Sequence, residues 1–240
     1  MRAALVASLI LVFAPGLAMA RSPVLVELYT AQGCASCVDA NAALGRTAEA
    51  PDVLALTFPV DYWDYLGWTD TFARPEFTAR QKTFVARFGL REPYTPQVVI
   101  DGRYQTGGKQ TENIDALISK AALAAHGAPD IAFIGNRRLD VGQGTAPRGG
   151  ADVWLAAYEA RPQDVLVKKG DNKGQTVTHI NVVRSLQRLG SWRGRPTAYR
   201  LPETELGLSL AVFVQAPRGG RILAVARKVA ISRTAATSGQ

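Results

Sequence analysis

The sequence predicts an α/β protein: a mixed sheet flanked by helices over the first half, followed by a small β-rich unit, a sandwich or partly open barrel. Three observations predict it. The apolar runs up to Gly127 read in the order β, α, β, α, β, β, α, which fits a parallel βαβ unit followed by an antiparallel hairpin and a covering helix. Beyond Pro129 the runs become short, often alternating, and separated by Gly, Pro and Asn turns. A chain of 240 residues, 47% hydrophobic and 20% charged, is long enough to bury a core in each half.

The first segment, "MRAALVASLILVFAPGLAMA", places one basic residue before an apolar run and ends in Ala18-Met19-Ala20, the small-x-small pattern that signal peptidase cuts. An export signal over residues 1–20 is therefore expected. Pro15 and Gly16 break the run well short of the about 20 apolar residues a membrane span needs. The expected location is periplasmic or secreted, an oxidising milieu in which two cysteines can pair. Cleavage would remove both methionines, Met1 and Met19, and leave an uneven charge. Arg21 to Gly127 has ten basic and twelve acidic residues, whereas Ala128 onward has seventeen and eight. This asymmetry marks two units, 21–128 and 129–232, with different partners, and a disordered tail over 233–240. The basic half suits an anionic envelope surface or an acidic partner, and without an aromatic and basic stacking motif it does not point to nucleic acid.

Each element has its own signal. Val24 to Thr30 is β-rich and apolar, as a buried strand should be, and "CVDANAALG" then has helical composition, with Asp39 early and Gly45 as a stop. Asp52 to Phe58 is a second buried strand. Phe77, Phe84, Val85 and Phe88 fall at helical spacing between Pro75 and Gly89. Asp101-Gly102 suits the left-handed turn of a hairpin, and Thr111 can cap a helix whose Ile114, Leu117, Ile118 and Ala121 share a face. Strands follow at "DIAFIG", "GADVWLAAYEA", "DVLVKKG", "QTVTHINVV", "LSLAVFVQ" and "RILAVARKV".

Cys34 and Cys37, the only cysteines, stand just after a strand and at the start of a helix, where free N–H groups and the helix dipole favour a thiolate. In thiol-disulfide exchange, Cys34 would be the exposed nucleophile and Cys37 the buried resolving thiol, with no cofactor required. Other uses of the pair remain. A zinc site needs about four ligands, and the only histidines, His126 and His179, lie in separate halves. Copper held by two thiolates and one histidine, or a purely structural disulfide closing a short loop, are the non-enzymatic alternatives.

"LYTAQGCASC" followed by "YTPQVVIDG" resembles the thioredoxin-like superfamily, over about residues 23 to 127. Within it the chain is similar to a secreted, uncharacterised family, domain of unknown function family 1223, with Q-G-C-x-x-C at Gln32 to Cys37 and D-Y-W-D-x-L-G-W at Asp61 to Trp68. The likeness continues through "THINVVR" and "AVFVQ". It implies that Pro96 is cis and faces the cysteines, and that Thr95 before it docks an extended substrate. Ala35 and Ser36 between the cysteines lend a thiolate no charge and Asp39 repels it, so only a mild lowering of the Cys34 pKa is expected and the direction of electron flow is open.

Three further groups of residues are candidates. Tyr62, Trp63, Tyr65, Trp68 and Phe72 crowd the connection after the second strand, at the sheet edge where ligands bind; Trp63 and Trp68 either rim a docking site or pack the connection down. Asp61 or Glu27 could relay a proton to Cys37, or form ordinary ion pairs. His179, Asn181 and Arg184 alternate along an expected strand, which would put His179 and Asn181 on one face. The function these readings add up to is an exported thiol-disulfide oxidoreductase acting on a protein substrate or redox partner.

Overall fold

The computed structural model describes residues 22–124 and 127–230. The expected export signal, His126 and the tail beyond Ser232 lie outside the described residues.

β1 (Val24–Thr30) and β2 (Val53–Pro59) run parallel, from Val24 opposite Val53 to Thr30 opposite Pro59. Both are buried along their whole length because helices cover both faces, which is why they read as unbroken apolar runs. Val24, Val26 and Leu28 pack under α1 (Cys37–Thr47) and α3 (Thr111–Leu123), against Ala40, Leu44, Ile114 and Ala121. Leu25 and Tyr29 face the other way, toward Phe77 and Phe84 of α2 (Pro75–Phe88). Pro75 opens α2 and Gly89, at φ 63°, closes it. β3 (Gln97–Ile100) lies antiparallel to β1 and turns into β4 (Tyr104–Gly107) through Asp101 and Gly102, at φ 51° and 59°.

Two expected boundaries move. α1 continues past Gly45 to Thr47, so Gly45 lies within the helix and does not end it. Thr111 is the first residue of α3; Gln110 holds the cap position and no side chain caps the helix.

The second half adds β5 (Ile131–Ile134), β6 (Arg138–Val141), β7 (Ala151–Glu159), β8 (Gln163–Leu166), β9 (Thr176–His179), β10 (Val182–Trp192), β11 (Thr197–Arg200), β12 (Ser209–Gln215) and β13 (Ile222–Lys228). Four of these extend the first sheet into eight strands, ordered β13-β12-β7-β10-β2-β1-β3-β4. The junction is parallel, Val182 opposite Thr57, and is reinforced where Asn181 Nδ2 donates to Ala55 O at 2.9 Å and Thr57 N donates to Asn181 O at 3.0 Å. β11, β6 and β5 form a three-stranded antiparallel layer that packs Leu139, Val141 and Tyr199 onto Val153, Leu155, Val212 and Val214 of the large sheet. Among the described residues β8 and β9 pair only with each other.

One strand expected from the sequence is two. The chain turns between His179 and Val182, with Asn181 at φ 49°, so β9 and β10 belong to different sheets and His179 and Asn181 share no face. His179 goes under α1, Asn181 binds the β2 backbone, and Arg184 lies over the Phe72 ring at 5.1 Å.

Candidate functional site

The cysteines sit where β1 ends and α1 begins. After Thr30 the chain makes a turn in which Cys34 N donates to Ala31 O at 3.2 Å and Cys37 N to Cys34 O at 3.0 Å, and Cys37 is the first residue of α1. Cys34 and Cys37 form a disulfide with Cα atoms 5.4 Å apart. Ser36 holds the cap position, but its hydroxyl does not bond to the helix; it lies 3.5 Å from Cys34 Sγ.

The aromatic connection between β2 and α2 fastens this turn in place. Gln32, fully buried, accepts at Oε1 from Trp68 Nε1 at 2.9 Å and donates from Nε2 to Thr71 Oγ1 at 2.8 Å. Its backbone N–H goes to Asp70 Oδ2 at 2.7 Å, and the same carboxylate accepts from Phe72 N at 2.9 Å and Ala73 N at 3.1 Å. Burial pushes the Asp70 carboxyl up to about 6, against these three donors, which pull it down. Trp63 Nε1 donates to Thr95 Oγ1 at 2.8 Å, and the Thr95–Pro96 bond is cis. Pro96 lies beside the first turn of α1: a Cβ placed on Gly108 would meet Pro96 Cβ at 2.8 Å and Ala40 Cβ at 2.9 Å, so only glycine fits between them. The two tryptophans thus tie the cysteine turn and the proline loop to one segment, while Tyr65 at its tip is 80% exposed.

The expectation of an exposed Cys34 is overturned. Cys34 is 1% exposed and Cys37 0%, because the segment joining β8 to β9 lies over the turn. Asn172, itself 1% exposed, donates from Nδ2 to Gln32 O at 2.8 Å and to Cys34 O at 3.0 Å. Nothing in the stretch "KKGDNKG" beyond its turn composition signals that Asn172 covers the cysteine turn.

The remaining candidates have other uses. Glu27 accepts two bonds from Arg80, at 2.6 and 2.9 Å, and one from Tyr29 OH at 2.9 Å, a buried ion pair rather than a proton relay. Asp61 Oδ1 accepts from Thr78 Oγ1 of α2 at 2.6 Å. His179 is fully buried against Asn41, which lies one helical turn along α1 from Cys37: Thr30 Oγ1 donates to Asn41 Oδ1 at 2.9 Å, which turns the Asn41 amide nitrogen toward His179 Nδ1 at 3.3 Å, and Nε2 has no partner among the described residues. Burial holds the imidazole down at about 4, only partly offset by Asp164. No cluster of three or more His, Cys, Asp or Glu placed to hold a metal occurs among the described residues.

The family described as protein of unknown function (DUF1223) matches residues 25–215. The chain belongs to the DUF1223 family. That match spans both the cysteine turn and the Asn172 segment that covers it. A crystal structure of an Agrobacterium tumefaciens protein from a structural genomics consortium is similar at 30% identity, over 90% of this DUF1223 chain and 97% of that one, with a TM-score of 0.75. HBP35 of Porphyromonas gingivalis shares the fold at 12% identity, over 92% and 79% of the two chains, with a TM-score of 0.57. No curated protein matches.

Proposed function

We propose that this DUF1223 protein is a thiol-disulfide oxidoreductase of the thioredoxin-like kind, exchanging with protein partners in an oxidising compartment outside the cytoplasm. The observation that carries the reading is a disulfide at the amino end of α1, reached directly from β1, with a cis Thr95–Pro96 loop beside the same helical turn. Four strands ordered β4-β3-β1-β2, with β3 antiparallel to β1 and helices on both faces, support the likeness. In the oxidising direction a partner thiolate attacks Cys34 Sγ, the Cys34–Cys37 bond breaks, and Cys37 leaves as a thiolate. A second partner thiolate then attacks the partner's own sulfur in the mixed disulfide, releasing an oxidised partner and the Cys34 thiolate, which the α1 amino end stabilises. Thr95 and Pro96 would dock the partner chain. The basic second half would face an anionic envelope surface or an acidic partner.

Trapping tests this directly. In the reverse direction the Cys34 thiolate attacks a partner disulfide and Cys37 resolves the mixed disulfide; Cys37→Ser keeps that nucleophile and removes the resolving thiol, so mixed disulfides through Cys34 are expected to accumulate, whereas Cys34→Ser is expected to trap few. A second reading, a binding module with a structural disulfide, is favoured by the burial of both sulfurs. It would be upheld by an empty trap together with a reduction potential below about −300 mV.

A further inference from the structure

The hairpin of β8 and β9 reaches across from the second half of the chain and closes over the disulfide. Its tip is rigid within itself: Val167 N donates to Gln175 O at 2.9 Å, Gly174 N to Val167 O at 2.8 Å, Lys173 N to Gly170 O at 3.1 Å and Gln175 N to Asn172 O at 2.9 Å. Gly170, at φ 80°, sits flush on Gly33, where an added Cβ would come 3.8 Å from the Gly33 Cα. Apart from the contact of Asn41 Nδ2 with His179 Nδ1 at the foot of β9, the side-chain hydrogen bonds that leave the hairpin, among the described residues, are the two from Asn172 to the cysteine turn. Among the described residues the hairpin pairs with no strand of the large sheet, so its tip can lift without unzipping any of that sheet's ladders, while buried Val167, Val177 and His179 hold its base. Its outer side presents Lys168, Lys169, Asp171 and Lys173 to solvent.

Exchange needs a thiolate to approach the attacked sulfur in line with the S–S bond. Neither sulfur offers that path: Cys34 is 1% exposed, Cys37 0%. We propose that the β8–β9 hairpin is a gate latched by Asn172, and that which thiols react with the Cys34–Cys37 pair is set by their ability to reach it through the lifted hairpin. The gate rests on the exchange reading for its biological use, though not for its mechanics.

Reduction by dithiothreitol measures the gate on the whole folded protein. One dithiothreitol thiolate bonds to Cys34 Sγ, the Cys34–Cys37 bond breaks and Cys37 leaves as a thiolate. The second dithiothreitol thiolate closes the cyclic disulfide and releases Cys34. Asn172→Ala removes both latch bonds and leaves the sulfurs untouched, so its reduction rate should exceed that of the wild type by roughly tenfold, the population change two ordinary hydrogen bonds produce. Val212→Ala, in the core on the far side of the large sheet, supplies a destabilised control and should react within about twofold of the wild type. An Asn172→Ala rate equal to the wild type, or a Val212→Ala rate raised as much as that of Asn172→Ala, would overturn the gate, the second because global unfolding would then account for access. The two proposals fail separately. Faster reduction of Asn172→Ala with no mixed disulfide trapped by Cys37→Ser upholds the gate and sinks the oxidoreductase, while trapping without acceleration does the reverse.

Discussion

Arg80 shows how much rests on single buried residues. Its guanidinium grips Glu27 with two bonds, reaches Gln215 Oε1 at 3.0 Å, and lies among rings, 4.9 Å from that of Phe213 and 5.2 Å from that of Phe84. Arg80→Met would strand the Glu27 carboxylate in the core and is expected to lower unfolding free energy in urea by about 3–5 kcal/mol. Adding Glu27→Gln should recover much of that, because the amide still accepts from Tyr29 and has no charge to strand. His179 makes a pH prediction. Its folded pKa lies near 4, below the ordinary 6.5, so the unfolded chain binds the extra proton between those values and stability falls as pH drops through that window. Between pH 7.5 and 5 the loss from this residue should be roughly 2 kcal/mol. Asp70 and Asp101, each raised to about 6 chiefly by burial, act in the opposite direction over part of the same range. The wild type therefore has to be compared with His179→Gln, whose urea midpoint should show the smaller acid loss. Cys34 and Cys37 were legible because they are the only cysteines and stand at a strand-to-helix junction. Asn172 was not, because an asparagine between Asp and Lys in a glycine-flanked turn looks like any other turn residue, and the carbonyls it binds lie 140 and 138 positions earlier.

Among the elements, the aromatic connection after β2 carries the clearest division of labour. Its two indole N–H groups hold Gln32 and Thr95, one on each side of the site. Trp68→Phe keeps the ring and loses only the donor, leaving Gln32 Oε1 with Thr71 N alone at 3.2 Å, and is expected to lower stability by about 1–2 kcal/mol in urea. Tyr65→Ser, at the exposed tip, should leave the urea midpoint where it is. From sequence alone this segment could be either a rim or packing, since density of aromatics does not say which way a ring points; the indole bonds place Trp63 and Trp68 in the frame of the site. The elements from β1 to α3 were legible in order because periodicity and Pro, Gly and Asp-Gly punctuation agree there. β6 and β11 were not, being four-residue strands rich in charge, "RLDV" and "TAYR", whose only apolar anchors are Leu139, Val141 and Tyr199. The break between β9 and β10 was hidden by composition: "THINVV" alternates well enough for one strand, and tertiary pairing of Asn181 with β2 overrides it.

Across the whole molecule, the chain's two halves meet inside one sheet. Ala156, Tyr158, Val183 and Phe213 from the second half fill the same core as Leu25, Tyr29 and Phe58 from the first. Calorimetry should therefore give a single transition whose calorimetric and van't Hoff enthalpies agree, and a fragment ending at residue 128 should give no cooperative transition, because it exposes the free edge of β2 and half of that core. The charge asymmetry and the change of texture at Pro129 were readable as a boundary, but a parallel strand joining across it has no local signal, since Val182 pairs with Thr57 over 125 positions of chain. The cover over the disulfide also imposes a schedule. Both sulfurs are made well before Asn172, and a chain that meets an oxidant amino end first presents its thiols while their cover is still to come. On the proposed reading of an exported chain, oxidation would precede enclosure, and the cover would close over a bond already made.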